Sequence, residues 1–187
     1  MRFIISFPSL VPLFLFLFFS SSSPLTLIQE TCEKCSETDP NIRYDFCTAS
    51  FESSPDGPLI SDLRHLGLLA IRLTKRNVTS TRRFVKHMSS GKRGKSLDPY
   101  VRACLSDCLV LYSDAISTVK DAAKDYKKRR YGDANIALSA VLDASTTCED
   151  GFSQRENVVS PLTKRNKDTF QLSVIALSIV NMLNNVG

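Results

Sequence analysis

The sequence predicts an all-α protein: an up-and-down four-helix bundle preceded by an N-terminal helical hairpin and stapled by disulfides. Three observations predict it. Apolar residues recur at steps of three and four along four long stretches, and nowhere alternate as in a strand. Proline, glycine and capping residues separate those stretches by short connections, which makes successive helices antiparallel neighbours. Six cysteines follow an apolar N-terminal leader, the pattern of a chain that oxidises outside the cytosol.

The leader is Met1-Arg2, then an apolar run from Phe3 to Phe19, then Ser20 to Ser23. A basic start, an apolar core and small residues read as a signal peptide over 1–22. Two prolines and a length barely enough to span argue against a membrane anchor. About 165 residues then remain, enough for one domain with a core. They divide into a hairpin over 23–56 and a bundle over 57–187.

In the hairpin, Ile28, Cys32 and Cys35 share one helix face, and Asp39-Pro40 reads as the opening of a second short helix with Tyr44, Cys47 and Phe51 on one side. Pro58 reads as the start of the first bundle helix, with Leu59, Leu63, Leu66, Ala70 and Leu73 down one face and a weakening near Asn77 to Thr81. Gly67 inside it permits close packing. Ser89 to Ser96 is a loop. Asp98-Pro99 is a cap followed by proline at the first helical position. Behind it runs a stripe of Val101, Leu105, Cys108, Tyr112, Ala115, Val119, Ala122 and Tyr126. Gly132 is expected to end that helix and Asp133 to cap the next, whose face is Ala137, Val141, Ala144 and Cys148. Ser160-Pro161 opens the last helix. There Leu162, Asn166, Thr169, Ser173, Leu177, Val180 and Asn184 form one line. Phe170, Val174, Ile175, Leu177, Ile179 and Leu183 form an apolar line expected to face the core.

Six cysteines allow fifteen pairings, and spacing alone does not choose. Cys32 and Cys47 lie on consecutive short helices, and Cys108 and Cys148 on consecutive long ones. The second pair needs a bend or an unequal start, because Cys108 is farther from Gly132 than Cys148 is. Cys35 and Cys104 either pair with each other or stay free thiols. Cys32-Glu33-Lys34-Cys35 lacks the strand–helix context of a redox motif. Secretion favours disulfides over zinc, and His65 and His87 match no metal motif, so no metal and no cofactor are expected. No G-x-S-x-G, H-E-x-x-H or phosphate-binding glycine loop is present, which points away from an enzyme.

The formal net charge is +5. Arg72, Lys75, Arg76, Arg82, Arg83, Lys86, Lys92 and Arg93 stand with no acid among them, and Lys127-Lys128-Arg129-Arg130 is a second run. Either these are solvated helix faces, or they form an electropositive face for an acidic partner. Export from the cell argues against nucleic acid. Asn77-Val78-Thr79 is an N-glycosylation sequon.

Several motifs resemble one family. They are Asp39-Pro40-Asn41 with Tyr44-Asp45-Phe46-Cys47, Asp107-Cys108, Leu111-Tyr112-Ser113-Asp114-Ala115, Tyr131-Gly132-Asp133-Ala134-Asn135, Leu138-Ser139-Ala140-Val141-Leu142-Asp143 and Thr147-Cys148-Glu149-Asp150-Gly151-Phe152. In order and spacing they resemble plant invertase and pectin methylesterase inhibitors. Val159-Ser160-Pro161-Leu162-Thr163-Lys164 with Asn166-Lys167 resembles the invertase-inhibitor branch that includes a plane-tree pollen allergen. The resemblance implies the hairpin and bundle, bridges Cys32–Cys47 and Cys108–Cys148, and action without chemistry, by docking over the active cleft of a carbohydrate-active enzyme. It implies a secreted protein of the apoplast or cell wall, less so the vacuole, facing acid invertase or pectin methylesterase. Invertase inhibitors of this family carry Pro-Lys-Phe at the turn before the third bundle helix. This chain offers Arg129-Arg130-Tyr131 there, without the proline, so Arg130 would meet acids and Tyr131 would replace the aromatic. The other expectation for such a fold is a non-inhibitory secreted pollen or defence binding protein.

Overall fold

The computed structural model describes residues 26–90 and 96–185. The expected signal peptide lies outside the described residues, as does part of the expected loop from Ser89 to Ser96. Among the described residues six α-helices carry the fold: α1 Leu27–Thr38, α2 Tyr44–Glu52, α3 Leu63–Met88, α4 Pro99–Lys127, α5 Tyr131–Ser153 and α6 Thr163–Asn184, with a 3₁₀ turn at Gly57–Leu59. Among the described residues there is no strand. The long helices close a ring in which α3 packs on α4 and α6, and α5 packs on α4 and α6. That is an up-and-down bundle with consecutive helices antiparallel. The hairpin of α1 and α2 lies against α6 and the outer side of α3.

Local chemistry sets the ends. Thr26 caps α1 through a capping box: Gln29 N–H donates to Thr26 Oγ1 at 3.3 Å and Thr26 N–H donates to Gln29 Oε1 at 2.9 Å. Asp39-Pro40 does not open α2. Asp39 is instead the C-cap of α1 and accepts Asn41 N–H at 2.9 Å, an Asx turn that competes with helix. The turn is pinned to α6, where Gln171 Oε1 accepts Arg43 N–H at 3.1 Å and Gln171 Nε2 donates to Asn41 O. Helix α2 therefore begins at Tyr44, whose side is exposed while Cys47 and Phe51 are buried.

The first bundle helix begins at Leu63, not at Pro58. Asp62 is the cap, accepting His65 N–H at 2.8 Å. Leu59 falls in the 3₁₀ turn and is 78% exposed, so it is no part of the core stripe. Nor does the helix weaken near Asn77: Thr74, Val78 and Thr81 are fully buried.

Helix α4 follows its predicted stripe closely, with Leu105, Cys108, Tyr112, Ala115, Val119, Ala122 and Tyr126 buried and Val101 only partly covered. It ends at Lys127, five residues earlier than expected, and Gly132 and Asp133 sit inside the first turn of α5. With the reversal at 128–130, Cys108 and Cys148 stand almost level, and no bend is needed. Bridges Cys32–Cys47 and Cys108–Cys148 are formed, with Cα–Cα distances of 5.7 and 5.0 Å.

The expected core face of α6 is corrected. Asn166, Thr169 and Ser173, on the polar line, are among the most buried residues of the helix, while Phe170, Leu177 and Leu183 are only partly covered. Tyr112 explains Asn166 and Thr169, whereas Ser173 Oγ is buried without a hydrogen-bond partner among the described residues. The Tyr112 hydroxyl donates to Asn166 Oδ1 at 2.6 Å and lies 3.2 Å from Thr169 Oγ1. Thr169 Oγ1 in turn donates to Asn77 Oδ1 at 2.6 Å, and Asn166 Nδ2 donates to Glu149 Oε2 at 2.5 Å. Four helices thus share one hydrogen-bonded polar network, which stays buried because its members have partners. Ile175 and Ile179 are buried farther along the helix, Ile179 beside Gly67.

Candidate docking site

The turn between α4 and α5 is built by backbone before side chains. Arg129 adopts φ 61°, in the left-handed region. Arg129 N–H donates to Tyr126 O at 3.0 Å, and Arg130 N–H donates to Asp125 O at 3.0 Å. These are the two bonds of a Schellman closure, with Arg129 at the position that usually carries glycine. The arrangement reverses the chain without a proline.

Arg130 follows as the N-cap of α5. Its guanidinium pairs with Asp125 and lies 3.4 Å from Asp133 Oδ2 through Nε. The hydrogen bond and charge of Asp125 hold it firmly cationic. About half of the side chain still faces solvent. Tyr131 is half-buried, its ring edge-on to Tyr126 at 5.4 Å and 65°. Arg129 is exposed and projects from the turn.

Tyr126 anchors the platform. It is 1% exposed, and its hydroxyl donates to Arg64 O at 2.8 Å. Burial pushes its phenol upward. Arg64 reaches back to Lys127 O at 3.3 Å, so the start of α3 and the end of α4 hold each other. Gly67 lets Tyr126 in: a Cβ there would sit 2.2 Å from the Tyr126 hydroxyl and 2.9 Å from Ile179 Cγ2. The anchor role of Tyr126 is not visible in a helical stripe, because the stripe shows burial and not what the hydroxyl reaches.

The other singled-out residues are dispersed. Cys35 and Cys104 are buried and unbonded, which corrects the third-bridge alternative. Cys35 lies by Ser178 of α6, near the end where Asn181 accepts a bond from Asn135 at 2.7 Å. Burial pushes its thiol up. Cys104 lies 3.4 Å from Gly151 O at the opposite end of α5. Gly151 is sixteen residues beyond Asn135, roughly 24 Å along a helix, and a disulfide requires Cα atoms within about 7 Å. Asn77 of the sequon is partly covered, midway along α3, with Oδ1 turned to Thr169 and Thr81. His65 and His87 are exposed on α3, and His65 Nδ1 lies 2.9 Å from Asp62.

A groove of 830 Å³ opens along the seam of the hairpin with α5 and α6, bounded by Lys34, Asn135, Leu142, Phe170, Ser178 and Met182. It contains no histidine. Among the described residues, no cluster of His, Cys, Asp and Glu is placed to hold a metal. The turn presents a cation paired with acids of its own chain and an aromatic edge, on a braced end of the bundle.

Comparisons with known proteins bear on the family and the fold. The model of the plant invertase/pectin methylesterase inhibitor family matches residues 26–179. A protein named "Putative invertase inhibitor" from Platanus acerifolia is 39% identical over 157 residues, covering 84% of this chain and 85% of its own length. Pectinesterase inhibitor 12 of Arabidopsis thaliana is 32% identical over 158 residues, covering 84% of this chain and 88% of that protein. A crystal structure of a mutant form of a pectin methylesterase inhibitor from Arabidopsis shares the fold with TM-score 0.68 at 23% identity, covering 82% of this chain and 96% of that one. The chain belongs to the plant invertase/pectin methylesterase inhibitor family.

Proposed function

We propose that this protein is a secreted inhibitor of a plant carbohydrate-active enzyme, acting by docking the α4–α5 turn over the active cleft. The observation that carries it is the family match over residues 26–179, together with a turn that presents a paired Arg130 and a braced Tyr131. Such a turn loses little conformational freedom on binding, which favours tight association. Asp125 and Asp133 fix the Arg130 guanidinium in place, and about half of its side chain still faces solvent, where it can donate to an acceptor of the target. Acid invertase is the proposed target, supported by the greater identity to the Platanus relatives; pectin methylesterase is the other. The site of action is the apoplast or cell wall.

Purified oxidised protein is titrated, at mildly acidic pH, against a plant acid invertase and a plant pectin methylesterase. Stoichiometric loss of the invertase activity is expected. Loss of the esterase activity alone moves the target. No loss of either at micromolar protein removes the inhibitor reading and leaves a non-inhibitory binding protein of the same fold.

A further inference from the structure

A second surface lies beside the turn and is chemically unlike it. Lys120, Lys124 and Lys127 line one face of α4, Lys128 follows as its C-cap, and Lys75 of α3 stands across from them, around an open groove of 380 Å³. All five are exposed. None has a carboxylate within ion-pairing distance among the described residues; the one paired lysine there is Lys164, bonded to Asp168. Asp125, the acid on this stretch of α4 nearest to Lys124 and Lys128 in sequence, is engaged by Arg130. Asp121 is exposed on α4 and does not line the groove.

This row works against the fold. Like charges at i and i+4 repel, and Lys120, Lys124 and Lys128 repeat at that interval. Salt screens such repulsion only in part at close range. A bound polyanion would relieve it. The α4 row spans roughly 12 Å at the helical rise, so it faces an extended chain of charges and not one ion.

The composition tells which polyanion. Protein interfaces enrich arginine and aromatics and deplete lysine. Here the lining is lysine throughout except for Ala123. Lysine is a hydrated point charge without a fixed hydrogen-bonding fork, suited to diffuse attraction. A bilayer would present a plane and ask for apolar side chains, whereas this surface is concave with a single methyl group. Nucleic acid is remote from an exported protein.

We infer that the α3–α4 lysine groove binds a linear polyuronate, an acidic polysaccharide with one carboxylate per sugar, and tethers the protein to such a polymer. The tether does not depend on which enzyme the α4–α5 turn meets.

The full oxidised protein is passed over immobilised polygalacturonate and over its methyl-esterified form. Retention on the free acid alone is expected, with affinity falling on the order of tenfold or more between about 50 and 200 mM salt. The triple variant Lys75→Gln, Lys120→Gln, Lys124→Gln should lose at least about tenfold in affinity with an unchanged circular dichroism spectrum. The control Arg83→Gln, Lys86→Gln, Lys167→Gln removes equal charge elsewhere and should retain binding. Equal loss in both variants, equal retention of the esterified polymer, or no retention at low salt overturns the inference. So does a triple variant that keeps polyuronate binding and loses enzyme inhibition, which would make the groove a protein-docking face. A wild-type protein that binds the polymer and inhibits nothing leaves the tether standing and removes only the inhibitor reading.

Discussion

A Cβ on Gly67 would stand 2.2 Å from the Tyr126 hydroxyl, so α3 and α4 meet through a position that has no side chain. Helix propensity alone would favour alanine at that site by about 1 kcal/mol. The close approach reverses the sign. Gly67→Ala must displace Tyr126 from Arg64 O or push Ile179 aside, an overpacking cost of about 1–3 kcal/mol. The expected net effect is a lower urea midpoint with the slope unchanged. Removing the hydroxyl as well, in Gly67→Ala with Tyr126→Phe, should recover part of the loss. A Gly67→Ala protein as stable as the parent would show that the helices do not meet this closely.

Arg129 holds a left-handed conformation that costs an L side chain roughly 1–2 kcal/mol. Arg129→Gly should therefore raise the denaturation midpoint, by about 1 kcal/mol in stability after the added entropy of the unfolded glycine. If Arg129 contacts the target, the same variant inhibits more weakly while being more stable. That split separates a contact role from a folding role.

The cysteines give a counting test. Denatured, unreduced protein should react with two equivalents of thiol reagent, at Cys35 and Cys104, and mass mapping should find the other four in two bridges. In the native state both thiols should react slowly, since Cys35 is fully buried and Cys104 is 7% exposed. The bridges close loops of 15 and 40 residues, worth about 3 and 4 kcal/mol in the chain-entropy picture. A denatured protein with no free thiol would restore the third bridge.

Burial raises Tyr112 from 10.0 to about 12, and Tyr126 shifts in the same direction. The unfolded phenols ionise first. Their contribution to stability is thus complete below pH 10 and is lost as pH climbs toward the folded values, about 3 kcal/mol for Tyr112 alone. Acid and neutral pH leave this contribution untouched. Denaturant midpoints should be flat in this respect up to pH 10 and fall steeply above it, in step with the phenolate absorbance. Tyr112→Phe should soften the alkaline fall, while weakening the neutral protein through the lost bonds to Asn166 and Thr169.

How much was legible depended on which physics wrote each element. Helix α4 read almost completely, because Asp98-Pro99 is a local start signal and its stripe is apolar. The two bridges were legible once helices were assigned. Other features were not, among them the start of α3, which Pro58 marks in sequence and Asp62 sets in the structure. The core face of α6 was misjudged because periodicity scores apolarity, whereas Asn166 and Thr169 are buried by virtue of partners on α3, α4 and α5, distant in sequence. The end of α4 was misplaced because a glycine was expected to close it, and Arg129 does so instead. The start of α2 was misplaced because Asp39 bonds Asn41 in an Asx turn, which a capping signature does not distinguish from a helix start. In the candidate site, Arg129, Arg130 and Tyr131 are singled out in the sequence and lie together on the α4–α5 turn; the brace from Gly67 through Tyr126 is not legible there, since it joins residues 59 apart in the chain.

The docking assignment stands on Arg130 and Tyr131, and it is tested most directly by comparing inhibition curves. Wild-type protein and the Arg130→Ala, Tyr131→Ala double variant are titrated against the enzyme that the wild type inhibits, with folding checked by thermal melting. Loss of an anchoring charge and an aromatic edge at the centre of an interface costs about 2 kcal/mol or more, so the curve should shift to at least tenfold higher protein. A superimposable curve from a folded double variant would contradict the account and place the contact on another face of the bundle.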